Sequence, residues 1–225
     1  MKGVILAGGR GTRLAPFTRL IKKELLPVYD KPLIYYPLET LKQSGITDII
    51  LVSDPRNIQS FLDVLGEGED MGIKIQYTIQ NKQLGIANAL YQARPFIDKE
   101  ENTAVMLGDN IFTENFETAV RDFTDGGATI AVTQVKDPER FGVVSFEGDK
   151  VTKIVEKPKE PESDWVSVGF YLYDNTLFDK IEKLNPSARG EYEITDVNNQ
   201  YLDEGKMRCV KMDGKWFDAG TFDSL

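Results

Sequence analysis

Gly3-Val4-Ile5-Leu6-Ala7-Gly8-Gly9-Arg10-Gly11-Thr12-Arg13-Leu14 decides the fold. Five small and apolar residues, two of them β-branched, read as a short buried strand. The glycines that follow let the backbone turn tightly and bring its N–H groups against an anion. This is not a P-loop, because no Gly-Lys-Ser/Thr follows, and Leu14 stands where the third glycine of the dinucleotide fingerprint belongs. Alone, the turn is read equally well as a structural one.

Outward from it, strand and helix alternate. Asp48 to Ser53, Ile73 to Ile79 and Thr103 to Leu107 read as further strands. Pro32 to Ser44, Asn57 to Leu65 and Ile86 to Ala93 carry apolar residues at helical spacing, the first ending at Gly45. Such alternation predicts a largely parallel sheet covered on both faces. From Ala128 the strands crowd: Ala128 to Val135, Phe141 to Phe146, Val151 to Val155 and Val166 to Tyr173, then helices at Asn175 to Lys183 and Glu193 to Asp203. The expectation is one α/β domain over 1–225 with a mixed, mainly parallel sheet flanked by helices. Ligands should gather at the loops after Ala7, Ile79 and Leu107, beyond the carboxyl ends of strands.

Composition narrows the chemistry. The chain has no histidine, which removes Ser-His-Asp triads, histidine zinc sites and histidine-bound intermediates. Any metal must be held by oxygen, as magnesium or manganese is. The single cysteine, Cys209, excludes an internal disulfide and reads as a half-buried strand residue. A net charge of −9 argues against nucleic-acid binding. No apolar run suits a membrane span or a signal-peptide core, so a cytoplasmic protein is expected. Yet residues 1–23 hold Lys2, Arg10, Arg13, Arg19, Lys22 and Lys23 and no acid. That cluster is either a focused anion site or a solvated basic face. Asp109, after the strand ending at Leu107, is either a turn cap or a ligand for a hard cation, and Asp218 in Trp216-Phe217-Asp218-Ala219-Gly220 reads the same way.

Gly8 to Leu14, followed by Lys23-Glu24-Leu25-Leu26-Pro27, resembles the signature of the sugar nucleotidyltransferases. Val28 to Pro37 is similar to their glucose-1-phosphate thymidylyltransferase branch. The resemblance continues through Leu107 to Phe112, Asp137 to Val144, Glu156-Lys157-Pro158, Pro186 to Glu191 and Asp218 to Thr221. It implies a Rossmann-like fold of the nucleotide-diphospho-sugar transferase type. It also implies a nucleotide-binding part at about 1–127, a sugar-binding part at about 128–225, and a reaction in which glucose 1-phosphate displaces pyrophosphate from dTTP to give dTDP-glucose; the alternatives are UTP as the nucleotide, or a nucleotide-sugar-binding regulatory protein without turnover. The residues implied for the nucleotide are Leu6, Gly8, Gly9, Gly11, Thr12, Arg13, Lys23, Gln80, Gly85 and Asp109, with Gln80 and Gly85 at the pyrimidine edge. Gly142, Glu156, Lys157, Val168 and Arg189 are implied for the sugar phosphate. Asp109 and Asp218 would hold Mg²⁺, with Arg13 and Lys23 completing the catalytic set. No nucleic acid or membrane partner is implied; a homo-oligomer is compatible with the resemblance. Glu24 stands where many thymidylyltransferases have Gln, and Val168 where Thr is frequent. The chain ends at Leu225, where members usually continue with a helix, so a trimmed or minimal form is expected.

Overall fold

The computed structural model describes residues 1–9 and 11–220; Arg10 and Thr221, both within the quoted motifs, lie outside them. The strands are β1 (Lys2–Ala7), β2 (Pro27–Val28), β3 (Lys31–Pro32), β4 (Asp48–Ser53), β5 (Lys74–Ile79), β6 (Thr103–Leu107), β7 (Asn110–Phe112), β8 (Ala128–Gln134), β9 (Gly142–Glu147), β10 (Lys150–Glu156), β11 (Trp165–Tyr173), β12 (Met207–Lys211) and β13 (Trp216–Asp218). The helices are α1 (Tyr35–Gln43), α2 (Ile58–Leu65), α3 (Ile86–Tyr91), α4 (Glu117–Arg121), α5 (Leu177–Glu182) and α6 (Ile194–Asp203).

The main sheet runs β10-β9-β11-β6-β1-β4-β5, and β8 joins it by pairing with both β11 and β12. Strands β6, β1, β4 and β5 are parallel, whereas β11 is antiparallel to β6, β8 and β9. The two-residue period of β1 sends Ile5 and Ala7 into the core on one face and Val4 and Leu6 into the core on the other. On the first face Leu38 and Leu41 of α1 and Phe61 of α2 close the layer; on the second, Leu90 of α3 and Val197 and Tyr201 of α6 do so. Burying each such side chain stabilises the fold by about 1.5–3 kcal/mol.

Two features of this sheet place the site. After β1 the chain builds β4 and β5 on one side, then crosses to lay β6 on the other, so a switch in strand order falls between β1 and β6. Strands that diverge there leave a crevice beyond their carboxyl ends. Along β11, residues 170–173 pair with β6 while Val166 and Ser167 pair with β9, and the register against β8 shifts between Ser167 and Tyr171. A second opening forms at this fork.

Two expectations are corrected here. The helix predicted from Pro32 begins at Tyr35, because Lys31 and Pro32 are drawn into a small ladder with Val28 and Pro27. Of the two readings of Asp218, the turn cap gives way: the residue is the last of β13, which pairs antiparallel with β7. Cys209 is half-buried within β12, as expected. Among the described residues no helix is long and apolar enough to cross a membrane.

Candidate active site

A pocket of about 470 Å³ lies over the switch point, lined by the ends of β1 and β6, the turn after β5 and the start of α3. Leu6 and Leu107 form apolar walls, and Gly8, Gly9, Gln80 and Gly85 bring polar groups to it. Gln80 is buried; its backbone N–H donates to Ser53 O at 2.8 Å, and its side-chain amide donates to Asn88 Oδ1 at 3.2 Å and Gly85 O at 3.4 Å. These bonds fix the amide plane and leave Oε1 directed at Gly8, where a Cβ would sit 2.6 Å away. Gly8 is therefore required by Gln80. Gly85 has φ +101°, and a Cβ there would lie 2.5 Å from Tyr192 O. The backbone that presses on Gly85 is thus the protein's own, at the entry to α6.

At the other end of this pocket the Lys23 ammonium pairs with Asp109. Burial acts to lower the Lys23 pKa, but Asp109, Glu24 and Asp218 outweigh it, and the group stays firmly protonated. Burial acts to raise Asp109, but Lys23 and the amide of Asn110, which donates to Oδ1 at 2.9 Å, hold it below the usual carboxylate range. Asn110 is itself locked: its Oδ1 accepts from Trp216 Nε1 at 2.6 Å and from Gly169 N–H at 3.1 Å. A Cβ on Gly169 would fall 2.4 Å from that oxygen, so the fork in β11 admits Asn110 only because residue 169 is glycine.

Asp218 pairs in register with Asn110, and the N–H of Ala219 donates to Asp109 O at 2.9 Å. The β7–β13 ribbon thereby joins two aspartates 109 positions apart in sequence. Burial and the Asp109 charge push the Asp218 carboxyl above its ordinary range, partly offset by Lys23, Arg13 and Arg140. Two partly buried carboxylates that repel each other, with no histidine in the chain, form an oxygen donor set suited to a hard divalent cation. Among the described residues no cluster of three or more acidic groups or cysteines offers a complete cage. Substrate oxygens would have to complete the coordination.

A second pocket, of about 420 Å³, opens at the fork in β11 and shares Asp109, Ile86 and Leu107 with the first. Gly142, Glu156, Lys157 and Val168 line it, with Arg13, Arg140 and Asp218 at its charged end. Glu156 ends β10 and accepts from Thr195 Oγ1 at 2.6 Å, while Lys157 Nζ lies 3.3 Å from its other oxygen. A Cβ on Gly142 would meet Thr195 and Glu156 at 3.3–3.4 Å, so glycine keeps that wall open. Lys157 has φ +44°, a left-handed conformation that a side-chain-bearing residue adopts at a cost, and its N–H donates to Phe141 O at 2.9 Å.

The predicted residues do not all meet. Arg189 lies beside Glu156 but spends its guanidinium on Glu193 at 2.8 Å and does not line the second pocket. Arg13, expected with the triphosphate, lines the second pocket near Asp218. Gly11 and Thr12 belong to the 3₁₀ turn beyond the first pocket. The basic run divides: Lys2 pairs with Asp48 far from the site, Lys22 with Asp54 and Lys23 with Asp109, while Arg19 is exposed. Asn110, Arg140, Thr195 and Trp216 were assigned no role from the sequence. Asn110, Arg140 and Trp216 stood inside quoted stretches and could have been found there; Thr195 carried no local signal.

The nucleotidyl transferase family model matches residues 2–225. Glucose-1-phosphate thymidylyltransferases of Neisseria meningitidis and Mycolicibacterium smegmatis are 47% and 46% identical to the chain, covering all of it and 80% of their own length. A Bacillus anthracis protein assigned as a glucose-1-phosphate thymidylyltransferase, crystallised with sucrose, superposes with a TM-score of 0.95 at 45% identity, over 100% of this chain and 92% of its own. A UDP-glucose pyrophosphorylase bound to UDP-glucose shares the fold, with a TM-score of 0.88 at 22% identity, over 99% of this chain and 94% of its own. With the match running through both pockets and the ribbon between them, the chain belongs to the nucleotidyl transferase family.

Proposed function

We propose that the protein transfers a thymidylyl group from dTTP to glucose 1-phosphate, forming dTDP-glucose and pyrophosphate. The observation that carries this is the sharing of Asp109 by two pockets, which lets two substrates meet at one carboxylate. The names of the relatives supply the substrate pair. In this reading, residues up to about 127 serve the nucleotide and later residues the sugar, with Arg13, Asn110 and Glu191 crossing the division and Ile86, Leu107 and Asp109 shared.

The base enters between Leu6, Gly8, Gln80 and Gly85. The fixed amide of Gln80 can meet a pyrimidine's N3–H with its oxygen. Lys23 neutralises the phosphates of the nucleotide. Glu156 and the backbone at Gly142 receive the sugar hydroxyls, and Lys157 takes the acceptor phosphate. Arg189 joins Lys157 by exchanging Glu193 for the phosphate, a task suited to its forked guanidinium. An oxygen of the sugar phosphate bonds to the α-phosphorus as the bond to the β-phosphate bridging oxygen breaks, and pyrophosphate leaves in line. A phosphate monoester, whose second pKa is near ~6, is already charged at neutral pH, so no general base is needed. The chain's own contribution is then positioning and charge neutralisation. Asp109 and Asp218 fit Mg²⁺, which when bound would neutralise charge on the α-phosphate.

A matrix of nucleoside triphosphates against sugar 1-phosphates, read by pyrophosphate release, tests the proposal. The largest kcat/KM is expected for dTTP with glucose 1-phosphate; a larger value for a purine nucleotide or another sugar would replace it.

A further inference from the structure

The carbonyl groups of the Gly-rich turn are held by four side chains from three segments. Ser53 Oγ, at the end of β4, donates to Ala7 O at 3.0 Å. Gln83 Nε2, from the loop after β5, donates to Gly8 O at 2.5 Å. Lys22 Nζ donates to Gly9 O at 2.8 Å, and Thr18 Oγ1 to Gly11 O at 2.8 Å. Lys22 is itself anchored on Asp54 Oδ2 at 2.9 Å, and both members of that pair are buried, at 7% and 6% exposure. Asp54 in turn accepts from Asn57 Nδ2 and the N–H of Arg56, and its carboxyl lies below its ordinary range because these partners outweigh burial.

A buried ion pair is a weak source of net stability, since desolvation cancels most of the attraction. Its presence beside a glycine turn calls for a geometric role. A trans peptide is planar, with C=O and the following N–H pointing in opposite directions. Fixing Gly8 O on Gln83 therefore aims the N–H of Gly9 the other way, and fixing Gly11 O on Thr18 does the same for Thr12. Among the described residues no acceptor meets the N–H groups of Gly9 or Gly11. Lys22 and Lys23 divide the work: the first holds the turn by Gly9 O, while the second, which a Cβ on Gly9 would meet at 3.7 Å, runs to Asp109.

We infer that Lys22, anchored on Asp54, and Gln83 are positioning residues that hold the Gly8 and Gly9 carbonyls so that the turn presents preformed N–H donors to the nucleotide's phosphates. This rests on the reading of that turn as the triphosphate site. Glycines are the most mobile residues in a chain, and without these clamps ordering them would be charged to every binding event.

The test measures dTTP, pyrophosphate, thymidine and glucose 1-phosphate affinity by calorimetry, with thermal melts, for Lys22→Met, Lys22→Met/Asp54→Asn and Gln83→Leu. Losing one clamp should weaken dTTP and pyrophosphate about tenfold or more, leaving thymidine and glucose 1-phosphate within about twofold. Lys22→Arg, which keeps a donor, should recover most of the loss. The double variant, free of the orphaned Asp54 charge, guards against a folding failure of Lys22→Met. A lowered Tm with unchanged dTTP and pyrophosphate affinity in the double variant and Gln83→Leu overturns the inference. If the wild type itself binds neither dTTP nor pyrophosphate, the underlying reading of the turn fails instead.

Discussion

The two pockets that meet at Asp109 are built by opposite means. The first is made of backbone and fixed amides: Gly8, Gly85 and Gln80 are locked by contacts within the protein itself. The second is lined by charged and polar side chains already engaged, Glu156 with Lys157 and Thr195, and Arg140 with Asp218 and, outside the pocket, Asp137; Arg189 stands beside Glu156, held on Glu193. A rigid pocket discriminates by shape, because a misfit cannot be relieved. A pocket of paired charges must exchange partners on binding, so its affinity is a difference between two ion-pair sets. The ribbon of β7 and β13 stands between them and serves both.

The largest effect should come from breaking that shared element. Asp109→Asn and Asp218→Asn should each lower kcat about 10³-fold or more, because metal stabilisation of the α-phosphate amounts to several kcal/mol. The double variant should be little worse than either single if, as proposed, the two carboxylates hold one ion. Steady-state kinetics with Mg²⁺ titration decides, and multiplied losses, or activity that survives excess EDTA, would separate the two roles.

Next is the rigid pocket. A preference of about 10²-fold or more in kcat/KM for dTTP or UTP over purine triphosphates is expected in the wild type. Gln80→Ala should erode it. Equal turnover of ATP and dTTP by the wild type would show that the fixed amide does not read the base.

The charged pocket should respond more mildly. Lys157→Ala and Arg189→Ala should each lower kcat/KM for the sugar phosphate about 10–100-fold, as a charged hydrogen bond contributes about 1.5–3 kcal/mol. Arg189→Ala is expected at the low end, because the wild-type arginine must first leave Glu193. A rise confined to the nucleotide KM would move these residues to the other side of the ribbon.

The smallest effect concerns stability. Glu24 is buried in the wall of the first pocket with one oxygen unpartnered, and burial pushes its pKa up to about 7 against the attraction of Lys23 and Lys22. The folded state thus holds this proton more tightly than the unfolded chain. The stability it contributes is full below about pH 4.5 and is lost as pH rises through about 7. At most ~3 kcal/mol is at stake at one pKa unit per 1.36 kcal/mol. Denaturant unfolding from pH 4.5 to 8 should show this slope in the wild type and a flatter one in Glu24→Gln. Identical slopes would remove Glu24 from the account.

The sequence determined what depends on neighbours along the chain. The strand and turn of Gly3 to Leu14, the bounds of β4 and β6, and the helices after Asn57 and before Asp203 follow from two- and 3.6-residue periods and from glycine's freedom to turn. The lack of histidine likewise fixed that any metal would be held by oxygen. What the sequence could not decide is long-range. Asp218 as a strand residue beside Asp109, Asn110 filling the fork at Gly169, and Lys22 turned away from Lys23 to hold Gly9 all rest on partners tens of residues distant. Residue types state what a side chain can do. Which of its options it takes is set by which groups folding buries beside it, because a buried polar group left without a partner costs more than any local preference returns.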